Sequence, residues 1–100
     1  ISTDDDGTNY VAGEGGVDVI IGSNGNENLN GGDDGDTIYG LGGDDSMYGN
    51  FGDDRLESGS GDSNYLDGGI DEDDADVDYC VSESLTNILN ECEVTLAPNP

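Results

Sequence analysis

An acidic side chain recurs every nine residues through the middle of this chain, as Asp18, Glu27, Asp36, Asp45 and Asp54. Glycosidase-type acid–base work needs two carboxylates at one set separation, one of them with a raised pKa. Here the acids are too many and too regular, and none stands out as a nucleophile or base, so the chain reads as non-enzymatic. A ladder of carboxylates is suited instead to hard cations. Calcium takes about six to eight oxygen ligands in flexible geometry, backbone carbonyls included, whereas magnesium demands a strict octahedron and keeps its waters. Zinc prefers Cys and His, and the chain has two Cys and no His. A twelve-residue EF-hand loop is not present, since no Glu closes one and no helical flanks are evident.

The residues that must position these acids keep the same period. Five residues before each stands a glycine, at Gly13, Gly22, Gly31, Gly40 and Gly49, and two residues after each an apolar side chain, Ile20, Leu29, Ile38, Met47 or Leu56. A second glycine falls at the fourth position of most units, as Gly16, Gly25, Gly43 and Gly52. The unit is G-x-x-G-x-D-x-U-x, with U bulky and apolar. The glycines are expected to serve backbone angles with positive φ, and Asp34 occupies one such position as a residue type that tolerates them. The U residues are expected to face inward from strands too short to stand alone, which gain stability only by stacking unit on unit.

The phase extends beyond the centre. Upstream, Asp4 to Ala12 has Asn9 at the acid position and Val11 at the apolar one; downstream, Ser58 to Leu66 has Ser63 and Tyr65 there. One residue out of phase, Gly68 to Ala75 matches again with Asp73 as the acid. The repeat is therefore expected to end near residue 75. Tyr39, Tyr48, Ile21 and Leu66 follow the apolar position and should face outward.

This pattern resembles the RTX family of calcium-binding nonapeptide repeats. The resemblance covers residues 4 to 75, about seven tandem units and an eighth out of phase. It implies an all-β fold, a parallel β-roll in which six residues of each unit form a turn and three a strand, with calcium between neighbouring turns on one side. Carried onto this chain, carbonyls of Glu14 and Gly16 with Asp18 would meet Gly31, Asp33 and Asp36. Gly32, Asp34 and Asp36 would meet Gly49, Phe51 and Asp54, and Asn50 and Gly52 would continue toward Asp73. On the other side Ser23, Gly25 and Glu27 would meet Gly40, Gly42 and Asp45. Terminal sites would use Asn9, Ser63 or Asp73. Several calcium ions are implied, up to about six between turns. Asp18, Asp36, Asp54 and Asp73 make one column, and Asn9, Glu27, Asp45 and Ser63 a weaker one.

Composition gives an independent reason for a metal. The formal charge is −24 on 100 residues, with Arg55 as the one basic residue. Low hydrophobicity with high net charge marks a chain that does not fold unaided. One buried aliphatic side chain, worth about 1.5–3 kcal/mol, cannot offset nine residues of backbone ordering at about 1–2 kcal/mol each. The charge excludes nucleic acid and direct attraction to anionic lipid as partners, and no apolar run is long enough to span a membrane.

Residues 76–100 change character. Val77 to Val81 and Cys92 to Leu96 alternate as strands do, while Leu85, Ile88 and Leu89 have helical spacing, so strand-loop-strand or a short helix would fit residues 82–90. This segment is expected to form a small C-terminal cap over the roll of residues 1–75. Cys80 and Cys92 form either a disulfide in an oxidising compartment or a pair of reduced thiols, and context favours the bridge. Cysteine is not part of the RTX consensus, so the cap departs from the family pattern. The start at Ile1, already nearly in phase, reads as a processed product or a piece of a larger protein.

Three functions follow from these readings. The first is a calcium-induced structural module of a secreted, extracellular protein. The second is a protomer that builds a homo-oligomer, filament or surface layer through its coil edges. The third is an ice-binding solenoid, which would need a ladder of small polar residues that position five (Thr8, Val17, Asn26, Gly35, Asp44, Asp53, Asp62) does not supply.

Overall fold

A computed structural model describes residues 10–61, 63–69, 77–82, 87–92 and 94–96. In chain order the strands are β1 (Tyr10–Ala12), β2 (Val19–Ser23), β3 (Asn28–Gly32), β4 (Thr37–Leu41), β5 (Ser46–Asn50), β6 (Arg55–Glu57), β7 (Tyr65–Asp67), β8 (Tyr79–Val81), β9 (Ile88–Asn90) and β10 (Val94–Leu96). Successive strands alternate between two parallel sheets, ordered β1-β3-β5-β7-β9 and β10-β8-β6-β4-β2. No described residue is helical. The chain is an all-strand parallel β-solenoid.

Strand geometry explains why one apolar residue per unit suffices. Side chains alternate faces, so the residue two places after each acid points inward while its neighbours point out. Ile20, Leu29, Ile38, Met47, Leu56, Leu66 and Cys80 are fully buried and form one continuous core, with Val11, Leu89 and Cys92 packed against it. Like stacks on like: Val11 registers with Leu29, Leu29 with Met47 and Met47 with Leu66 in one sheet, and Ile20 with Ile38, Ile38 with Leu56 and Leu56 with Cys80 in the other. On the outer face of β6, Arg55 donates through Nε to Glu57 Oε2 at 3.1 Å, an ion pair within one strand.

The structure moves the phase slip one nine-residue unit earlier than the sequence reading placed it, to between Leu56 and Leu66. Leu66, not Tyr65, takes the inward place, and Tyr65 is half-exposed on the outer face. The expectation that Leu66 faces outward with Ile21 is corrected accordingly; Ile21 does face outward. A one-residue shift in a strand exchanges its two faces, and the dry, narrow core decides which alternative forms. Leucine fills it without a polar atom, whereas tyrosine would bring a hydroxyl needing a partner. Tyr39 and Tyr48 lie half-exposed on opposite sheets, as expected.

The C-terminal quarter extends the same two ladders. Tyr79 registers with Arg55, Ile88 with Tyr65, and Val94 with Tyr79. Ile88 and Leu89 therefore lie in a strand, not a helix; Leu85 falls outside the described residues. Cys80, in β8 of one sheet, is disulfide-bonded to Cys92, just past β9 of the other, with Cα atoms 5.9 Å apart. The bridge joins the sheets across the end of the core, and closing a loop of this length contributes about 3 kcal/mol by the chain-entropy estimate.

The register makes a mutational prediction. Leu66→Ala should destabilise the folded chain by about 2–5 kcal/mol, as a large-to-small change in a packed core does, while Tyr65→Leu should cost under about 1 kcal/mol. Urea unfolding followed by circular dichroism in saturating calcium measures both, and the reverse order would restore the unslipped phase.

Candidate metal centre

The strands run five residues through the centre, longer than the three the resemblance implies. Their last two residues and the short links after them form the bends that stack on two sides of the roll. On one side the turn at 13–18 lies against that at 31–36, which lies against that at 49–54: the Asp33 amide donates to the Glu14 carbonyl at 2.7 Å and the Phe51 amide to the Gly32 carbonyl at 3.2 Å. On the other side the Gly42 amide donates to the Ser23 carbonyl at 2.8 Å, stacking 40–45 on 22–27. The three groupings expected from the sequence (Glu14, Gly16 and Asp18 with Gly31, Asp33 and Asp36; Gly32, Asp34 and Asp36 with Gly49, Phe51 and Asp54; Ser23, Gly25 and Glu27 with Gly40, Gly42 and Asp45) are thus adjacent turns. Asn50 and Gly52 lie in the 49–54 turn, with Gly69 packed over Asn50. Asn9 and Asp73 fall outside the described residues.

The acids are joined in file by a repeated hydrogen bond. The backbone amide of each donates to Oδ1 of the acid one coil on: Asp18 to Asp36, Asp36 to Asp54, Asp54 to Asp78, and Glu27 to Asp45, each at 2.8 Å. The carboxylate's other oxygen turns toward the turn backbone. Oδ2 of Asp18, Asp36 and Asp45 is buried without a hydrogen-bond partner, although buried polar atoms are nearly always paired.

That oxygen explains the first glycine of each unit. A Cβ on Gly13 would lie 2.5 Å from Asp18 Oδ2, one on Gly31 2.5 Å from Asp36 Oδ2, and one on Gly40 2.6 Å from Asp45 Oδ2. These glycines are not in the left-handed region; the expectation of positive φ there is corrected to one of space. Left-handed backbone occurs instead at the second and fourth positions, where Glu14 (φ 75°), Leu41 (69°), Asn50 (75°) and Asp34 (71°) adopt it alongside glycines.

The two files differ. The first reads Asp18, Asp36, Asp54, Asp78, and the second Glu27, Asp45, Asn64, Asn87. Asn64, not Ser63, holds the place in the second file, since the Asp45 amide donates to Asn64 Oδ1 at 2.6 Å. That bond fixes the amide, and its Nδ2, buried and unpartnered, faces where a carboxylate oxygen stands elsewhere. Asn87 Oδ1 accepts from the Asn64 amide at 2.8 Å, and its Nδ2 donates to Ser82 Oγ at 3.0 Å. Glu27, one methylene longer than Asp, folds back within its own turn to accept from the Ser23 amide at 3.3 Å and from the Ser23 hydroxyl.

Sequence reading missed Asn64, Asp78 and Asn87. Each carried a signal, as Asn64-Tyr65-Leu66, Asp78-Tyr79-Cys80 and Asn87-Ile88-Leu89 all keep the acid-x-apolar triplet once Asn may replace the acid and Cys the apolar residue. The intervening insertions hid them. The coil length is 18 residues through the centre but 19, 23 and 24 in the later coils.

The files are electrostatically costly. Burial first, then the charges of Asp18, Asp34 and Asp33, raise the Asp36 carboxyl above the ordinary carboxylate range, against the Asp18 amide bond. Asp45 is pushed up to about 7, by burial and by the Glu27 carboxylate, against the bond from the Glu27 amide. Among the described residues no three His, Cys, Asp or Glu side chains gather at one point. A cation between turns would therefore draw on two carboxylates at most, with backbone carbonyls completing its shell. Each carbonyl has two lone pairs, so one that accepts an amide can still face a cation. Hard oxygen donors, an unpartnered buried carboxylate oxygen and a shell rich in carbonyls suit calcium.

A family model described as the RTX calcium-binding nonapeptide repeat, in four copies, matches residues 3–38, 21–56 and 30–65. The chain belongs to that family. Its RTX repeats bind calcium, and the RTX β-roll is a structural calcium-binding module rather than a typical enzyme fold. Comparison with curated proteins and with solved structures gives no match.

The raised carboxyls of this RTX roll predict a pH response. The folded state holds protons on Asp36 and Asp45 more tightly than the unfolded chain, so without metal it is favoured at low pH and loses that advantage as pH rises, for Asp45 through about 7. Far-UV circular dichroism in chelator should show β-structure growing between pH 8 and pH 5. A signal that falls on acidification would contradict the direction of these shifts.

Proposed function

We propose that this chain is a calcium-induced folding module of a secreted protein, disordered where calcium is scarce and rigid where it is abundant. The observation that carries the reading is the unpartnered buried Oδ2 of Asp18, Asp36 and Asp45 in a chain of formal charge −24. An oxygen so placed lowers stability unless a cation meets it, and calcium supplies attraction and charge cancellation together. Residues 1–75 carry most of the calcium, and residues 76–100 close the C-terminal end while adding Asp78 to the first file. Millimolar extracellular calcium suits modules of weak affinity, and the Cys80–Cys92 disulfide suits an oxidising compartment.

In this reading the ions lie between stacked turns. Glu14, Gly16 and Asp18 with Gly31, Asp33 and Asp36 hold one; Gly32, Asp34 and Asp36 with Gly49, Phe51 and Asp54 hold the next. Asn50 and Gly52 extend the file, with Asp78 at the ladder position. The second file is weaker. Ser23, Gly25 and Glu27 with Gly40, Gly42 and Asp45 form a site whose Glu27 is already engaged by Ser23, and beyond it Asn64 presents an amide nitrogen that cannot ligate a cation.

A second reading, end-to-end assembly into a filament, is favoured by the edge strands β1 and β2, near which Tyr10, Val17, Val19 and Ile21 are exposed. Sedimentation with and without calcium separates it from the first, since only assembly changes the mass.

Calcium titration watched by circular dichroism tests the proposal. β-Structure and compaction should appear cooperatively with calcium and hardly at all with magnesium at equal concentration, and a chain fully ordered in chelator at neutral pH would refute it. Asp36→Ala, which touches two gaps, should raise the calcium midpoint by about tenfold or more, and Glu27→Ala by clearly less. Equal effects would remove the difference between the files.

A further inference from the structure

A groove of about 340 Å³ opens on the outer face of the β1-β3-β5-β7-β9 sheet; no core residue or inward carboxylate lines it, and Asn50 and Phe51 of the 49–54 segment stand at its rim. Its floor is a row of outward side chains across three strands, with Tyr48 of β5 in register with Asp67 of β7 and Asp67 with Asn90 of β9. Phe51, 45% exposed, and Glu91 line it where the chain leaves the strands. The Tyr65 ring lies beside Tyr48, centroids 5.8 Å apart.

Asp67 is held in place. Its Oδ1 accepts the Gly69 amide at 2.9 Å, and its Oδ2 accepts the Tyr65 hydroxyl at 3.3 Å and Asn90 Nδ2 at 3.3 Å. Burial and the Asp67 charge keep the Tyr65 hydroxyl protonated above its ordinary range, so it remains a donor. Asn90 Nδ2 also reaches the Tyr65 oxygen at 3.4 Å. The result is a fixed carboxylate and a free-standing one, Asp67 and Glu91, beside a solvent-facing aromatic wall. No basic side chain answers them, because Arg55, the single one, lies in the other sheet paired with Glu57.

The geometry points to a binding groove for an arginine side chain presented by a basic polypeptide. A guanidinium is planar, weakly hydrated for a cation and able both to stack on an aromatic face and to fork onto a carboxylate, and the groove offers those two surfaces together. The volume lies at the small end of ligand sites, fitting one side chain rather than a folded domain. The chain's formal charge of −24 steers cations toward it from a distance, and the groove adds the local shape that general attraction lacks. A neutral sugar, which also stacks on aromatic rings, gains nothing from that charge.

The test uses the whole chain in saturating calcium at about 0.15 M salt, where long-range attraction is screened, so it does not hinge on where calcium binds. N-acetyl-arginine amide, N-acetyl-lysine amide and maltose are titrated against it by NMR. The arginine probe should shift Tyr48, Phe51, Asp67 and Asn90, the lysine probe should bind more weakly, and maltose should leave them unmoved. Asp67→Asn and Phe51→Leu should each weaken the arginine probe by about threefold or more, and Glu57→Gln on the opposite sheet should not. Circular dichroism in calcium checks that each variant folds; Phe51→Leu leaves the turn carbonyls intact and serves alone if Asp67→Asn does not fold. Shifts spread evenly over all acidic turns, equal weakening by Glu57→Gln, or a response to maltose alone would overturn the assignment.

Discussion

Like charges stacked at strand spacing are the constraint on which this molecule depends. Parallel strands lie about 4.8 Å apart, and the fold places a carboxylate of every coil at the same height above the one before it. Two unit charges at that distance repel by about 3 kcal/mol at an effective dielectric of 20. The hydrogen bond from each acid's amide to the next acid's Oδ1 relieves part of this and fixes which oxygen remains. Turn shape follows, because the remaining oxygen occupies the space of a glycine Cβ. The unit is thus a device for holding one carboxylate oxygen against a backbone that can share a cation with it.

The second file shows another solution to the same repulsion. Where Asn64 and Asn87 replace the acid, the amide-to-Oδ1 bond persists at 2.6 and 2.8 Å and the charge is gone. Asn87 goes further and also turns its amide nitrogen onto a protein partner, Ser82 Oγ. The strand register is indifferent to the exchange, since Leu66 and Leu89 stack as the earlier core residues do. Coil geometry and cation affinity are therefore separable properties, the first resting on the apolar column and the hydrogen bond, the second on the charge.

Much of this was legible in the sequence because the period is rigid. Eighteen residues make one coil through the centre, so the inward column from Ile20 to Leu56, the pairing of alternate units and the outward tyrosines all follow from counting. Counting fails where the coil lengthens. Tyr65 sits at the right interval to be inward, but Leu66 makes the better core residue, and side-chain chemistry overrides the count. The same lengthening hid Asp78 and Asn87. What the first glycine does was invisible for another reason: a sequence shows that a residue lacks a side chain, not which atom stands where that side chain would be.

The pairing of Arg55 with Glu57 on the outer face of β6 has a bearing on durability. With one Lys or Arg in 100 residues, a protease that cleaves after basic side chains finds a single peptide bond to attack. That bond belongs to a strand hydrogen-bonded on both flanks, to β4 and to β8, and cannot enter an enzyme's cleft without tearing two ladders. The roll is accordingly a poor substrate for trypsin-like enzymes for as long as it stays wound.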